Sequence, residues 1–225
     1  MPTSNTFSFN PAIGTLTLNA FARCGVRRTE LTPQHMSDAF LEANFLQGDW
    51  AADGIIWWTV ERVDQPLTAG APTYGLPTNT ITILDLYITA NGQNRLIMPF
   101  SRTDYASLAE PLQQGFPTSF WFDRALIPTV TLWPVPDNNT TYSMSYYVYT
   151  QPEDALLRAG GQAAIPYWWL NAYVADLSHR LARIYAPALE AARKMDRDEA
   201  YQRACKQTEP SPLFVTPGLS GYFRA

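Results

Sequence analysis

"TLWPVPDNNTTYSMSYYVYT", Thr131 to Thr150, is the stretch on which the fold turns. Its first half reads as a strand that runs into Pro134 and Pro136. Its second half carries Tyr142, Tyr146, Tyr147 and Tyr149. Side chains alternate between faces along a strand, so the second strand points aromatic rings to both sides. With "DNNT" between them, the two halves read as a hairpin. The prolines put the first strand at a sheet edge or end it there, because proline has no N–H for a ladder. A small domain covers one face of such a hairpin. The other face asks for a partner.

Upstream, "IIWWTVERV" is a short β-branched and aromatic run, and "LTAGAPTYGLP" is turn chemistry. "TITILDLYIT" from Thr80 alternates, setting Ile81, Ile83, Asp85 and Tyr87 against Thr82, Leu84, Leu86 and Ile88. "NRLIMPF" and "SFWFDR" read as further strands. Between them, Ser101 followed by Asp104 is a capping-box-like start for a short helix through Leu108. The result is a β-rich insertion over residues 55–151.

Helices flank it. Asn10-Pro11 reads as a helix start, with Ile13, Leu16, Ala20 and Cys24 at helical spacing and Gly25 as the stop. Thr32-Pro33 repeats the signal ahead of a stripe of Met36, Phe40, Ala43 and Trp50 that ends near Gly54. Beyond the insertion, Pro166 opens a helix with a seam of Leu170, Val174, Leu177, Leu181 and Ile184. Asn171, Ala175, Ser178 and Ala182 give that helix a small-residue face able to admit a close neighbour. Pro187 starts a polar, charged helix through Lys206, and "TEPSPLFVTPGLSGYFRA" from Thr208 reads as an extended tail. The expected fold is α+β. Residues 1–54 and 152–207 form a helical bundle, because none of these stripes is satisfied alone. Residues 55–151 form the insertion and 208–225 the tail.

The chain has 225 residues, enough to bury a sizeable core. Charged residues make up 16%, well below the roughly 25% of typical soluble domains, while 7 Trp and 12 Tyr are present. Low charge with many Tyr and Trp suits either a large aromatic core or surfaces that end up buried against partners. The net charge of −4 argues against a nucleic-acid reader, which shows a basic balance or patch. No apolar run approaches the ~18 residues of a membrane span, and "MPTSNTFSFNP" lacks the basic and apolar regions of a secretory signal. Cys24 and Cys205, at opposite ends of the chain, read as free thiols.

Catalytic chemistry finds little support. Asp176, Ser178 and His179 match a triad by type, but side chains at i, i+2 and i+3 of one helix cannot line up as nucleophile, base and orienter. Asp176 is better placed to pair with Arg180. His35 and Asp38 share a helix face but lack a third metal ligand. Glu61, Asp85, Asp104 and Glu110 are carboxylates of the insertion, with no spacing that singles out a pair. "GAPTYG" and "RAGGQ" lack the strand–loop–helix context of phosphate loops. No catalytic residue, cofactor or metal is expected. Two alternatives come from other classes: a small cell-wall hydrolase using carboxylates of the insertion, and a β-rich carbohydrate-binding module.

Several blocks in order carry a family resemblance. These are "LNAFARCGV", "AFLEANFLQGDWAADGI", "PLTAGAPTYGLP", "PTSFWFDR", "PTVTLWPVPDNNTTYSMSYYVYTQPEDA" and "IPYWWLNAYVADLSHRLARIYAP". Over Asn10 to Pro187 the chain resembles the head-to-tail adaptors of tailed bacteriophages. The resemblance implies a homo-oligomeric ring of twelve copies, docked beneath the portal protein in the virion. Such a ring seals the DNA-filled head and provides a platform for the next tail component, whether hub, nozzle or tail tube. The genome then passes through the lumen at ejection without sequence-specific binding, and no membrane is involved. In a ring each copy has two neighbours, so a strand with tyrosines on both faces can be covered twice. Tyr147, Tyr149 and Trp133 are the expected subunit-interface residues. Leu213, Phe214, Val215, Leu219, Tyr222 and Phe223 of the tail are the expected partner-binding residues.

Overall fold

The computed structural model of the chain describes residues 9–155, 161, 162 and 164–208. They fall into two compact units. One holds the described residues up to Ala43 and after Ala155, the other Asn44–Ala155. The fold is mixed α+β, with five α-helices and a curled seven-stranded sheet among the described residues.

In the helical unit, α1 (Ile13–Arg23) and α5 (Glu190–Thr208) both pack on α4 (Leu170–Tyr185). The first turns of α2 (Pro33–Ala52) belong here too. The sequence seam of α4 is buried at Leu170, Val174, Leu177 and Leu181, but Ile184 is 46% exposed. Tyr185, four residues after Leu181, takes the inward position instead and stacks on His35 at 4.4 Å. The small-residue side is where α1 approaches. Ala175, Ser178 and Ala182 are buried, Cys24 Sγ donates to the Ser178 carbonyl at 3.2 Å, and Arg23 donates to Asn171 Oδ1 at 3.1 Å. Any larger side chain there would hold α1 away.

The start of α1 departs from the sequence reading. Asn10 and Pro11 lie outside the helix, which begins at Ile13 with Ala12 as its cap. Extended pairing takes priority: Ala12 bridges Gln162, Ile13 N donates to the Gly161 carbonyl at 2.9 Å, and Asn10 Nδ2 reaches Gln162 Oε1 at 3.4 Å. Thr32-Pro33 does open α2, where the Thr32 hydroxyl accepts from His35 N at 3.4 Å.

The sheet unit is ordered β1-β9-β3-β4-β6-β7-β2, with all pairs antiparallel except β4 with β6. The strands are β1 (Val60–Pro66), β2 (Thr73–Gly75), β3 (Thr80–Ala90), β4 (Gln93–Pro99), β6 (Ser119–Asp123), β7 (Thr129–Trp133) and β9 (Tyr142–Thr150). A turn of 3-10 helix over Trp57–Thr59 delays β1 relative to the "IIWW" run. The connection from β1 to β2 shows why the sheet curls. Laid flat, these two edges would stand six inter-strand spacings apart, about 29 Å. The chain from Pro66 to Thr73 spans at most about 25 Å even when extended. The link is further drawn in by Tyr74, whose hydroxyl accepts from Thr68 N at 3.1 Å and donates to Thr68 O at 2.9 Å. The core lies inside the curl, built from Leu86, Ile88, Ile97, Leu132, Met144, Tyr146 and Val148.

The expected hairpin of 131–150 does not form. β7 pairs with β6 and β2, whereas β9 pairs with β1 and β3. Pro134 and Pro136 supply no donors to continue a ladder. The intervening β8 (Val135–Pro136) is diverted onto the two-residue β5 (Gln114–Gly115), so the chain crosses to another part of the sheet. The prolines therefore end β7 and do not mark it as an edge. Strict alternation in β3 also fails, because a bulge sets Leu84 and Asp85 against the single residue Tyr147. That re-phases the strand: Ile83 packs against the core and Leu84 is 40% exposed.

Candidate assembly surface

The surface is built on the odd-numbered residues of β9. Tyr142, Met144, Tyr146, Val148 and Thr150 point into the curl and are buried; Tyr147 and Tyr149 point the other way. Tyr147 is 37% exposed and Tyr149 is half-buried. In register, Tyr147 stands between Arg62 of β1 and Asp85 of β3, and Tyr149 between Val60 and Thr82. Arg62 reaches Asp64 at 3.1 Å. The Ser145 hydroxyl and then Arg62 hold the Asp64 carboxyl below its usual range. Alternation extends this outer face onto β4, where Leu96 and Met98 flank the inward Ile97 and are both largely exposed. Large apolar and aromatic groups among a few charges make up the composition of a protein interface.

Trp133 also faces outward, since its neighbour Leu132 is in the core. Three strands separate it from Tyr147 and Tyr149, however, so the three expected interface residues do not form one local patch. Its indole N–H donates to the Glu110 carbonyl at 3.2 Å and pins the loop before β5. Leu213, Phe214, Val215, Leu219, Tyr222 and Phe223 lie outside the described residues. The sequence reading missed Leu96 and Met98, although a three-residue apolar run in a strand signals that both faces want cover. It also missed Leu126 and Ile127 in the β6–β7 turn, 98% and 68% exposed.

The residues considered for chemistry have other occupations. Asp176 pairs with Arg180 at 3.3 Å, and Ser178 donates to the Ala175 carbonyl at 2.8 Å. His179 sits 3.9 Å from Glu190, and burial followed by the Arg197 charge pushes its pKa down. His35 Nδ1 accepts from Thr32 N at 3.2 Å, while Asp38 accepts from the Tyr185 hydroxyl. Asp104 accepts from Ser101 N at 3.0 Å as part of the cap of α3 (Arg102–Ala106). Asp85 stands in the β3 bulge, and Glu61 and Glu110 are exposed. Among the described residues no group of three His, Cys, Asp or Glu could hold a metal ion. Neither Cys24 nor Cys205 is bridged to another cysteine. No described helix is long and apolar enough to cross a membrane.

Comparison with curated proteins finds no match. A family model does match, and it spans both units, covering residues 14–209 under the description SU10 adaptor protein. A chain with two compact units, an outward aromatic sheet face and this match over most of its length belongs to the SU10 adaptor family of structural bacteriophage proteins.

Proposed function

We propose that the protein is a head-to-tail adaptor that assembles as a ring, of twelve copies, beneath the portal of a tailed phage. There it seals the DNA-filled head and presents a platform to the next tail component. The observation that carries this reading is the outer sheet face, with Tyr147, Leu96 and Met98 exposed on their own unit in a chain of the adaptor family. Tyrosine adds large, stiff contact area with a polar tip, which suits subunit contacts. The acidic balance suits a lumen through which DNA slides, because a basic lining would bind phosphates and retard it. Catalysis has no part in this role. The tail, residues 208–225, would reach the portal, with Leu213, Phe214, Val215, Leu219, Tyr222 and Phe223 as its anchors.

The test is the mass of the purified protein, alone and mixed with portal rings. A ring-sized species is expected in the mixture, and replacing Tyr147 and Tyr149 by Ser should weaken it while helical circular dichroism is retained. A chain that stays monomeric with portal present, or that clears cell-wall suspensions, overturns the reading. Deleting residues 208–225 should abolish portal binding and leave the melting temperature of the isolated protein nearly unchanged.

A further inference from the structure

Charge is divided unevenly along the chain. Asn44–Ala155, the sheet unit, holds four arginines against eleven aspartates and glutamates, 4 − 11 = −7, although the whole chain carries only −4. No Lys, Arg or His occurs from Met36 to Glu61 or from Ala125 to Ala155. Both of these stretches wall one open cleft of about 370 Å³. Gln47, Gly48 and Ala51 of α2 line it on one side; Ile81 of β3 and Gln151, Pro152 and Asp154, which follow β9, line the rest. All of them belong to the sheet unit.

Three features define what the cleft can take. The first is Gln47, which is only 7% exposed and lines the cleft, while its side-chain amide has no hydrogen-bond partner among the described residues. A carboxamide withdrawn from bulk water and unbonded to protein is costly unless something in the cleft meets it. The second is Asp154, exposed and in no ion pair among the described residues. Glu153 precedes it, and Asp53 follows the end of α2. Arg124 stands beside the Ile81 wall, bonded to Thr82 Oγ1 at 3.2 Å, but one arginine does not balance three carboxylates. The third is room: a Cβ built on Gly48 meets nothing within 4 Å, so the α2 wall leaves the space open.

We propose that this cleft receives an arginine side chain presented by a partner protein. A guanidinium offers five N–H donors and no acceptor, and it is more weakly hydrated than an ammonium. The cleft supplies the matching acceptors, the carboxylate of Asp154 and the amide oxygens of Gln47 and Gln151. Bonds to a carboxylate are the stronger kind, so Asp154 carries the charge recognition and the two amides fix the plane of the group. Ile81 and Pro152 give apolar walls for the aliphatic stem. An anion would meet the negative field of the rim and be turned away. Arginine is also among the residues that dominate interface energetics. The site lies within one unit and stands apart from the ring reading, since it names a partner's chemistry and needs no second copy.

The probe is N-acetyl-arginine amide, titrated into the full chain at a concentration where it is monomeric. The side-chain amide of Gln47 and the backbone N–H of Gly48 are followed by 1H–15N NMR. The shifts should saturate with a dissociation constant on the order of millimolar, the scale of a single side chain. Asp154→Asn and Gln47→Leu should each weaken binding at least about fivefold. Gly48→Leu fills the open position, leaves every charge in place and should abolish binding. N-acetyl-citrulline amide, of the same shape without the charge, should not bind, and N-acetyl-lysine amide should bind more weakly than the arginine probe. Unchanged spectra away from the cleft show that each variant is folded. No saturable shift at Gln47, equal binding of the citrulline or lysine derivative, or undiminished binding in Gly48→Leu each overturns the proposal. So does tighter binding after Arg158→Ala, which would give the cleft to the chain's own arginine. In assembled phage particles, carbodiimide labelling of Asp154 should fall at least about fivefold relative to the free chain, because a seated guanidinium shields it. Equal labelling would mean that no partner side chain enters, and would overturn the proposal even if the probe binds.

Discussion

α4 and β9 each pack between two neighbours in their units, and their burial differs in kind. Ten of the sixteen residues of α4 are buried, on several sides of the helix, with α1 and α5 supplying the cover. β9 is also paired on both edges, by β1 and β3, but covered by its own unit mainly on one face. Tyr142 and Tyr146 are buried inside the curl while Tyr147 stays open outside it. A helix completed by its own chain makes its substitutions matter for stability. A strand completed on one face divides its substitutions between stability, on the inner face, and association, on the outer one.

The largest test of that contrast is Leu177→Ala, in a side chain with no exposure. Truncating a buried leucine costs about 2–5 kcal/mol. Hydrogen exchange should accelerate in α1, α4 and α5 while the strands of the sheet unit keep their protection. Equal acceleration in both units would mean that they open as one and would break the comparison. A smaller effect is expected from Ala175→Leu, which adds bulk where α1 approaches. Overpacking of this sort costs about 1–3 kcal/mol, and the denaturation midpoint should fall without loss of helix content at low denaturant. Smaller again is Ser101→Ala, which removes the hydroxyl that accepts from Asp104 N at 3.1 Å. The expected cost is about 1 kcal/mol, confined to exchange at the start of α3.

The smallest effect sharpens the comparison through pH. Burial first, and then the neighbouring Asp38, push the Tyr185 hydroxyl up to about 12. In the unfolded chain a tyrosine loses its proton near 10. Between those values the folded chain holds a proton that the unfolded chain has released, so this group makes stability fall as pH rises from about 10 to about 12. Tyr185→Phe should flatten that part of the alkaline profile of the helical unit, read by circular dichroism. An unchanged profile would remove Tyr185 as its cause.

Local signals were legible in the sequence where the physics is local. Thr32-Pro33 and Ser101 with Asp104 start helices, because a cap depends on residues three or four apart. The inward set of β9 and most of the α4 seam follow from periodicity alone. Strand partners did not. Alternation in Tyr142–Thr150 says which residues share a face, yet nothing within that stretch says that β1 and β3 are its neighbours and β7 is not. The β3 bulge was equally hidden, since an extra residue leaves the composition of a strand unchanged. Asn10 carried a good cap signature but was overruled by pairing with Gln162, 152 positions away. Alternation alone puts Tyr147 and Tyr149 on one face of β9, opposite Tyr142 and Tyr146. Leu126 and Ile127 were passed over because two apolar residues in a turn resemble the start of a strand.

The bond from Ala155 N to Asn44 Oδ1, 3.0 Å long, joins the first and last residues of the sheet unit. Everything between them is one uninterrupted stretch of chain, whereas the helical unit is assembled from the two flanks. The order of synthesis is therefore unequal. The sheet unit can close as soon as Ala155 clears the ribosome, but α1 must wait for α4, whose first residue, Leu170, lies 170 − 23 = 147 positions beyond Arg23. At roughly 5–20 residues per second, translation leaves α1 without its partner for about 7–30 s. Through that interval Ile13, Leu16 and Ala20 lack the helix that covers them and Phe21 has only His35 of α2 to meet, so α1 spends that time with its core face largely open.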